Sequence, residues 1–95
     1  MKISEAKNTL KGINLEAVVT KKGDARNVNL KAGGVARVAE VIIDDDSGSM
    51  TLSLWNEEID KVKVGSKITI ENGYTNQFKG NVKLNIGKYG KLTVK

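Results

Sequence analysis

The stretch Ser49-Met50-Thr51-Leu52-Ser53-Leu54-Trp55 decides the reading of this chain. Successive side chains of an extended strand point to opposite faces. Met50, Leu52 and Leu54 therefore share one face, and Ser49, Thr51, Ser53 and Trp55 share the other. The first set builds a core. The second places the chain's single tryptophan on a face that is otherwise small and polar.

Working outward, the same period of two recurs. Upstream, Asp44-Asp45-Asp46-Ser47-Gly48 reads as a turn, because short polar side chains tolerate bent backbone. Before it, Val35 to Ile43 is β-branched and predicts a second strand; its alternation breaks around Val41-Ile42-Ile43, as in a strand buried on both faces or a bulge. Lys21 to Gly34 is polar and basic and reads as a loop. Ile13, Leu15, Ala17 and Val19 alternate with more polar neighbours and mark a first strand. Downstream, Asn56 to Val62 predicts a short helical turn, with Asn56 as N-cap, Glu57, Glu58 and Asp60 near its positive end, and Lys61 and Lys63 near its negative end. A fourth strand runs from Lys67 to about Tyr74, then a loop with Phe78, Lys79 and Gly80, then a fifth strand from Asn81 to Ile86, with Val82, Leu84 and Ile86 inward; Lys91 to Val94 extends this pairing. Five strands with one short helix between the third and fourth is the element order of a Greek-key OB barrel. The fold class is all-β, and residues 1–95 are expected to form one domain. An SH3-like barrel is the main competitor and ordinarily lacks the helix.

The chain has 95 residues and no cysteine, so neither a disulfide nor a thiolate metal site supports its modest core. Neither a signal-peptide apolar run at the N-terminus nor a stretch of roughly 20 apolar residues is found, which predicts a soluble, cytoplasmic protein without a membrane partner. The net charge of +5 is unevenly spread. Residues 1–34 sum to +4, residues 35–60 to −6, and residues 61–95 to +7. Such a field suits a polyanion approaching one side; a solubilising lysine coat is the plainer alternative.

Aromatic residues are few: Trp55, Tyr74, Phe78 and Tyr89. Trp55 lies among Thr51 and Ser53. Phe78 sits beside Lys79-Gly80. Tyr74 would be in phase with the core residues Ile68 and Ile70 unless Gly73 kinks the strand and turns the ring outward. Rings exposed among lysines stack on unpaired bases, at about 1–3 kcal/mol per base, while lysines displace counter-ions from phosphates. Duplex DNA keeps its bases stacked internally, so such a face selects single strands. The candidate interface comprises Trp55, Tyr74, Phe78, Arg37, Thr51, Ser53, Lys79, Lys83, Asn85 and Lys88, with Asn81 and Asn85 able to reach base edges or sugars. Each has a plainer alternative: Trp55 capping the barrel end, Tyr74 packed inside, Phe78 buried under its loop, the lysines merely solvated. Tyr89 reads as local packing.

Catalysis has little to draw on. Neither His nor Cys occurs, which removes the commonest general base and most zinc sites. The acidic turn lacks the Glu that a calcium loop needs near position 55 and the helices on either side, so it reads as a hairpin. Gly33-Gly34 belongs to no phosphate-binding motif. No cofactor and no enzymatic activity are expected.

The run from Val41 to Lys88 resembles the one-OB-fold single-stranded DNA-binding proteins of archaea and their animal relatives, themselves similar to the OB domains of replication protein A. The resemblance rests on the motif from Asp45 to Trp55, on Gly65-Ser66-Lys67-Ile68, on Ile70-Glu71-Asn72-Gly73-Tyr74, and on Phe78-Lys79-Gly80 with Leu84-Asn85. It covers about half of the chain well, with the first strand a looser match. It implies sequence-tolerant binding of single-stranded DNA, with single-stranded RNA as a second ligand and replication or repair proteins as partners. It also implies that Trp55, Tyr74 and Phe78 are the three stacking positions. One of them is a tryptophan in some members, and the smaller ring of Tyr74 implies weaker stacking. Many members carry a flexible C-terminal tail that recruits partners. This chain stops at Lys95 without one, which implies a domain of a longer protein or different partner contacts. Another class of function uses the same surface: an OB module whose third to fifth strands dock a protein within a replication or repair complex.

Overall fold

The computed structural model describes residues 1–78, 80–87 and 90–95, without the side chain of Phe78. In chain order the elements are α1 (Ile3–Ala6), β1 (Lys11–Lys22), β2 (Arg26–Asn29), β3 (Val35–Asp45), β4 (Gly48–Trp55), α2 (Glu57–Lys61), β5 (Lys67–Phe78), β6 (Asn81–Asn85) and β7 (Lys91–Val94). The strands pair in the order β1-β3-β4-β6-β5, and β5 pairs back onto β1, so five of them close a barrel. The β4–β6 contact is parallel and the other ring contacts are antiparallel. β2 lengthens one end of β3, and β7 runs beside the first half of β5 while β6 takes the second half. This is the expected Greek-key OB barrel, with α2 between its third and fourth strands.

Closure follows from the alternation of the chain. Ile13, Leu15, Ala17 and Val19 of β1, Ala39, Val41 and Ile43 of β3, Met50, Leu52 and Leu54 of β4, and Ile68 and Ile70 of β5 all enter one buried cluster with Leu84 of β6. A fully buried Leu or Ile contributes about 1.5–3 kcal/mol, so a one-residue slip in any of these strands would forfeit several such terms. The irregularity anticipated at Val41-Ile42-Ile43 resolves differently. Val41 and Ile43 are core, Ile42 faces outward half-buried, and the extra residue lies opposite, in β1, where Val19 pairs Ile43 but Lys21 pairs Ile42.

Several expectations need correction. The Lys21–Gly34 loop contains β2, because Arg26 to Asn29 folds back along Val35 to Val38 as a hairpin ribbon. Its sequence carries no apolar alternation, and backbone pairing to β3 is what makes it a strand. Asn56 is no N-cap. It adopts φ 54°, and its Oδ1 accepts the Arg37 N–H at 3.1 Å instead. At the other end of α2, the free carbonyls of Ile59 and Val62 accept from Lys22 Nζ at 2.6 and 2.9 Å. Lys61 lies in the last turn as expected, and a lysine distant in sequence adds the capping bonds.

The short helix α1 was not legible. It inserts Ile3 and Ala6, both fully buried, into the core. The acidic turn holds it there: Asp45 Oδ2 accepts the Ile3 N–H at 2.8 Å, and Ser47 Oγ accepts the Ser4 N–H at 3.0 Å. Burial alone would raise the Asp45 pKa, but hydrogen bonds from the Ser47 hydroxyl and the N–H groups of Ile3, Ser47 and Gly48 outweigh it and hold the carboxyl below its ordinary value. The turn is a hairpin, as expected, with the added task of seating the N-terminus. Among the described residues no helix is long and apolar enough to cross a membrane.

Candidate nucleic-acid interface

Strand register assembles the outward face. Side chains on directly paired residues lie on the same side of a sheet. Glu40 of β3 pairs Ser53 of β4, Ser53 pairs Asn85 of β6, and Asn85 pairs Tyr74 of β5, which makes one row. The next row is Ile42, Thr51, Lys83 and Asn76. On one side of these rows lies Trp55, paired with Val38, which is paired with Arg26; on the other side Phe78 pairs Asn81.

Tyr74 reaches this face through a kink. Ile68 and Ile70 are fully buried, and strict alternation would send Tyr74 after them. Between Leu15↔Ile70 and Ile13↔Gly73 the fourth barrel strand carries one extra residue, and Asn72 sits there in the left-handed region at φ 54°. The bulge reverses the phase. Tyr74 emerges 40% exposed. Gly73 is required for a different reason than φ: a Cβ there would lie 3.1 Å from the Asn85 carbonyl oxygen and 3.1 Å from Ile70 Cγ2. The positive φ belongs to Asn72, and Gly73 allows β6 to approach.

Trp55 faces outward as expected and is half-buried beside Val38, itself in the barrel wall. Its backbone N–H donates to Glu58 Oε1 at 3.4 Å. Burial pushes the Glu58 carboxyl up, against the Trp55 hydrogen bond and the nearby Lys61. From strand spacing and rise per residue, the Cα atoms of Trp55 and Tyr74, two strands and two residues apart, are separated by about 12 Å. Between them the floor is small and polar: Ser53 is 7% and Asn85 6% exposed. Below, a groove of about 470 Å³ continues past Thr51, Lys83, Asn81, Gly80 and Ser49 to Lys7.

The sequence-derived set divides as follows. Trp55, Tyr74, Thr51, Ser53, Lys83 and Asn85 come together on one face. Asn85 is a floor residue, its amide donating to the Lys83 carbonyl at 3.4 Å, with little surface left for a base. The backbone of Phe78 lies at the end of β5 in phase with Tyr74, and its side chain is outside the described residues, as are Lys79, Lys88 and Tyr89. Arg37 is not brought to the face. It follows the inward phase of Ala39 and Val41 past the barrel's end, where it meets Asp60 at 3.1 Å and the Asn56 carbonyl at 3.4 Å. The alternation with Ala39 and Val41 already sets Arg37 off the outward face; its pairing with Asp60 of α2 is what strand periodicity does not reveal.

Sequence reasoning missed four residues on or bordering the face. Arg26 joins the Trp55 row through Val38, and Lys21 joins the Thr51 row through Ile42. Lys7 closes the groove. Glu40 stands at one end of the row through Ser53, its Oε2 2.7 Å from Lys83 Nζ. The phase of Glu40 with Val38 and Ile42 was readable, but its cationic partners are distant in sequence.

A closed five-stranded OB barrel with an aromatic, small-polar and cationic face is the class this geometry defines. The family described as "Single-stranded DNA binding protein Ssb-like, OB fold" matches residues 3–94, and the chain belongs to that family. The single-stranded DNA binding protein Ssb of Saccharolobus solfataricus is 33% identical over 91 residues, covering 96% of this chain and 61% of that protein. The chain thus spans about three-fifths of the length of that relative. Among solved structures, the OB domain of a Thermoplasma acidophilum protein superposes with a TM-score of 0.82 at 17% identity, covering 100% of this chain and 85% of that one. The second OB-fold domain of replication protein A from Methanococcus maripaludis gives 0.70 at 23% identity, covering 85% of this chain and 80% of that domain. At these identities the two structures speak for the fold.

Proposed function

We propose that this chain, acting as one OB unit, binds single-stranded DNA with little sequence preference and without catalysing a reaction, in replication or repair. Trp55, Tyr74 and Phe78 take the bases by stacking, Thr51 and Ser53 line the floor, and Lys83, with Lys79 and Lys88, meets phosphates. Single-stranded RNA occupies the same face, and replication or repair proteins are its protein partners in the cytoplasm.

The observation that carries this reading is the bulge at Asn72. A barrel that needed the Tyr74 ring for its core would keep alternation. This one spends an extra residue to turn the ring outward, onto the face that holds Trp55. Every base has a π-face, so the discrimination is between single strand and duplex, not among sequences. With about three to five phosphates neutralised, log K against log salt should fall with a slope of roughly −2 to −3.5.

The test is a titration of Trp55 fluorescence with a poly-pyrimidine oligonucleotide, its RNA counterpart and a duplex, each at two salt concentrations. Quenching by the single strands, weakened by salt and absent with duplex, is the expected outcome. Equal response to duplex, or none to any of them, would overturn the proposal.

A further inference from the structure

Glu40 is out of place on a surface that receives a polyanion. It points outward from β3 at one end of the row that runs through Ser53 and Asn85 to Tyr74, beside the positions proposed to take bases. Its carboxylate lies 2.7 Å from Lys83 Nζ through one oxygen and 4.0 Å from an Arg26 guanidinium nitrogen through the other. Lys83 and Glu40 are 29% and 32% exposed at their side chains, so the pair is partly shielded and loses less to screening than the more open pairs Lys2–Asp46 and Lys95–Glu16. Arg26 and Lys83 come from opposite sides of the face, β2 and β6, and converge on this one acid.

We propose that Glu40 is an intramolecular competitor for phosphate: it holds Lys83 and Arg26 until a nucleic-acid strand displaces it, and so limits affinity and salt dependence. The inference rests on the single-strand-binding reading above. A phosphate reaching Lys83 must replace the carboxylate. The carboxylate left behind then faces the incoming chain and draws a cation back from solution, which cancels part of the counter-ion release that drives binding. Polyanions that offer charge alone gain little from these two cations. Stacking on Trp55 and Tyr74 is untouched by the competition.

The test is Glu40→Gln, which keeps the shape and removes the charge, with fluorescence anisotropy of a labelled oligo-dT measured from 50 to 200 mM salt. For each cation freed, the log–log slope should steepen by about 0.7, which at 0.1 M salt is roughly fivefold tighter binding. Lys83→Gln made on the Glu40→Gln background should abolish most of that gain, and Lys83→Gln alone should cost less than it does on that background. Circular dichroism melts confirm that the variants are folded. An unchanged slope and affinity in Glu40→Gln, with Trp55 quenching intact, would overturn the competitor role and leave single-strand binding standing. A gain that persists undiminished when Lys83→Gln and Arg26→Gln are both added to Glu40→Gln would mean general repulsion and overturn it equally. If the wild type binds no single strand at all, the functional reading fails first and the competitor role falls with it.

Discussion

Trp55→Ala separates what the ring does for the barrel from what it does for a ligand. An enclosed tryptophan buries about 150–250 Å². Trp55 is half-buried, so truncation removes on the order of 100 Å² of buried area, worth about 2.5 kcal/mol at about 25 cal/mol per Å². A domain of this size has roughly 5–10 kcal/mol in total, so the variant should stay folded at 20 °C with a lower urea midpoint. Binding is a second, independent loss. Removing one stacking platform costs about 1–3 kcal/mol, or about fivefold to 150-fold in Kd. Because the variant has no intrinsic fluorophore of this kind, the assay is anisotropy of a labelled oligo-dT, at a temperature where melts show both proteins folded. Trp55→Phe should recover part of the affinity, since a smaller π-face remains. A folded Trp55→Ala that binds within twofold of the wild type would refute the stacking role, and a stability loss alone would assign the ring to the barrel wall.

Gly87→Ala tests how the second ring is seated. A Cβ at Gly87 would lie 2.9 Å from Tyr74 Cε1, closer than the roughly 3.5–4.0 Å at which carbons pack. The ring must move by about 0.6–1 Å, and single-strand affinity should drop by up to about 1 kcal/mol if stacking needs the present placement. The same change made on Tyr74→Ala should be neutral; an equal loss there would show that the ring is not the reason. Asp45→Asn weakens the bonds that seat α1 and should cost about 1.5–3 kcal/mol, as hydrogen bonds to a charged acceptor do. The Asp45 pKa is lowered by folding, so its ionised form adds stability above the ordinary value of 3.8, and that contribution disappears as pH falls through the depressed folded value. Urea midpoints of the two proteins should therefore converge in acid and separate above pH 5. A constant gap from pH 2 to 6 would refute the assignment.

Much of the barrel could be read from alternation because each of its strands has one wet and one dry face. In β4 the apolar residues at positions 50, 52 and 54 leave no second arrangement that buries them together. The same holds for β1 at positions 13 to 19. Tyr74 was readable for a subtler reason: a glycine at position 73 signals that the phase could change, although the left-handed residue proved to be Asn72. The pieces that escaped, α1 and β2, have no such signature. One is four residues long and is made by contacts with Asp45 and Ser47; the other is polar and is made by pairing with β3.

The sequence by itself determined the class of fold, the inward set and the side on which Trp55 emerges, since these depend on the local period of the chain. Tertiary structure alone decided the charges. Lys22 turned out to cap α2, Arg37 to serve Asp60, and Lys83 to be shared with Glu40, across 37 or more, 23 and 43 positions of sequence respectively. The physical reason is reach. A hydrophobic period acts between neighbours two residues apart, whereas a long flexible cation pairs with whatever carbonyl or carboxylate the fold brings within about 3 Å, and no local pattern records that choice.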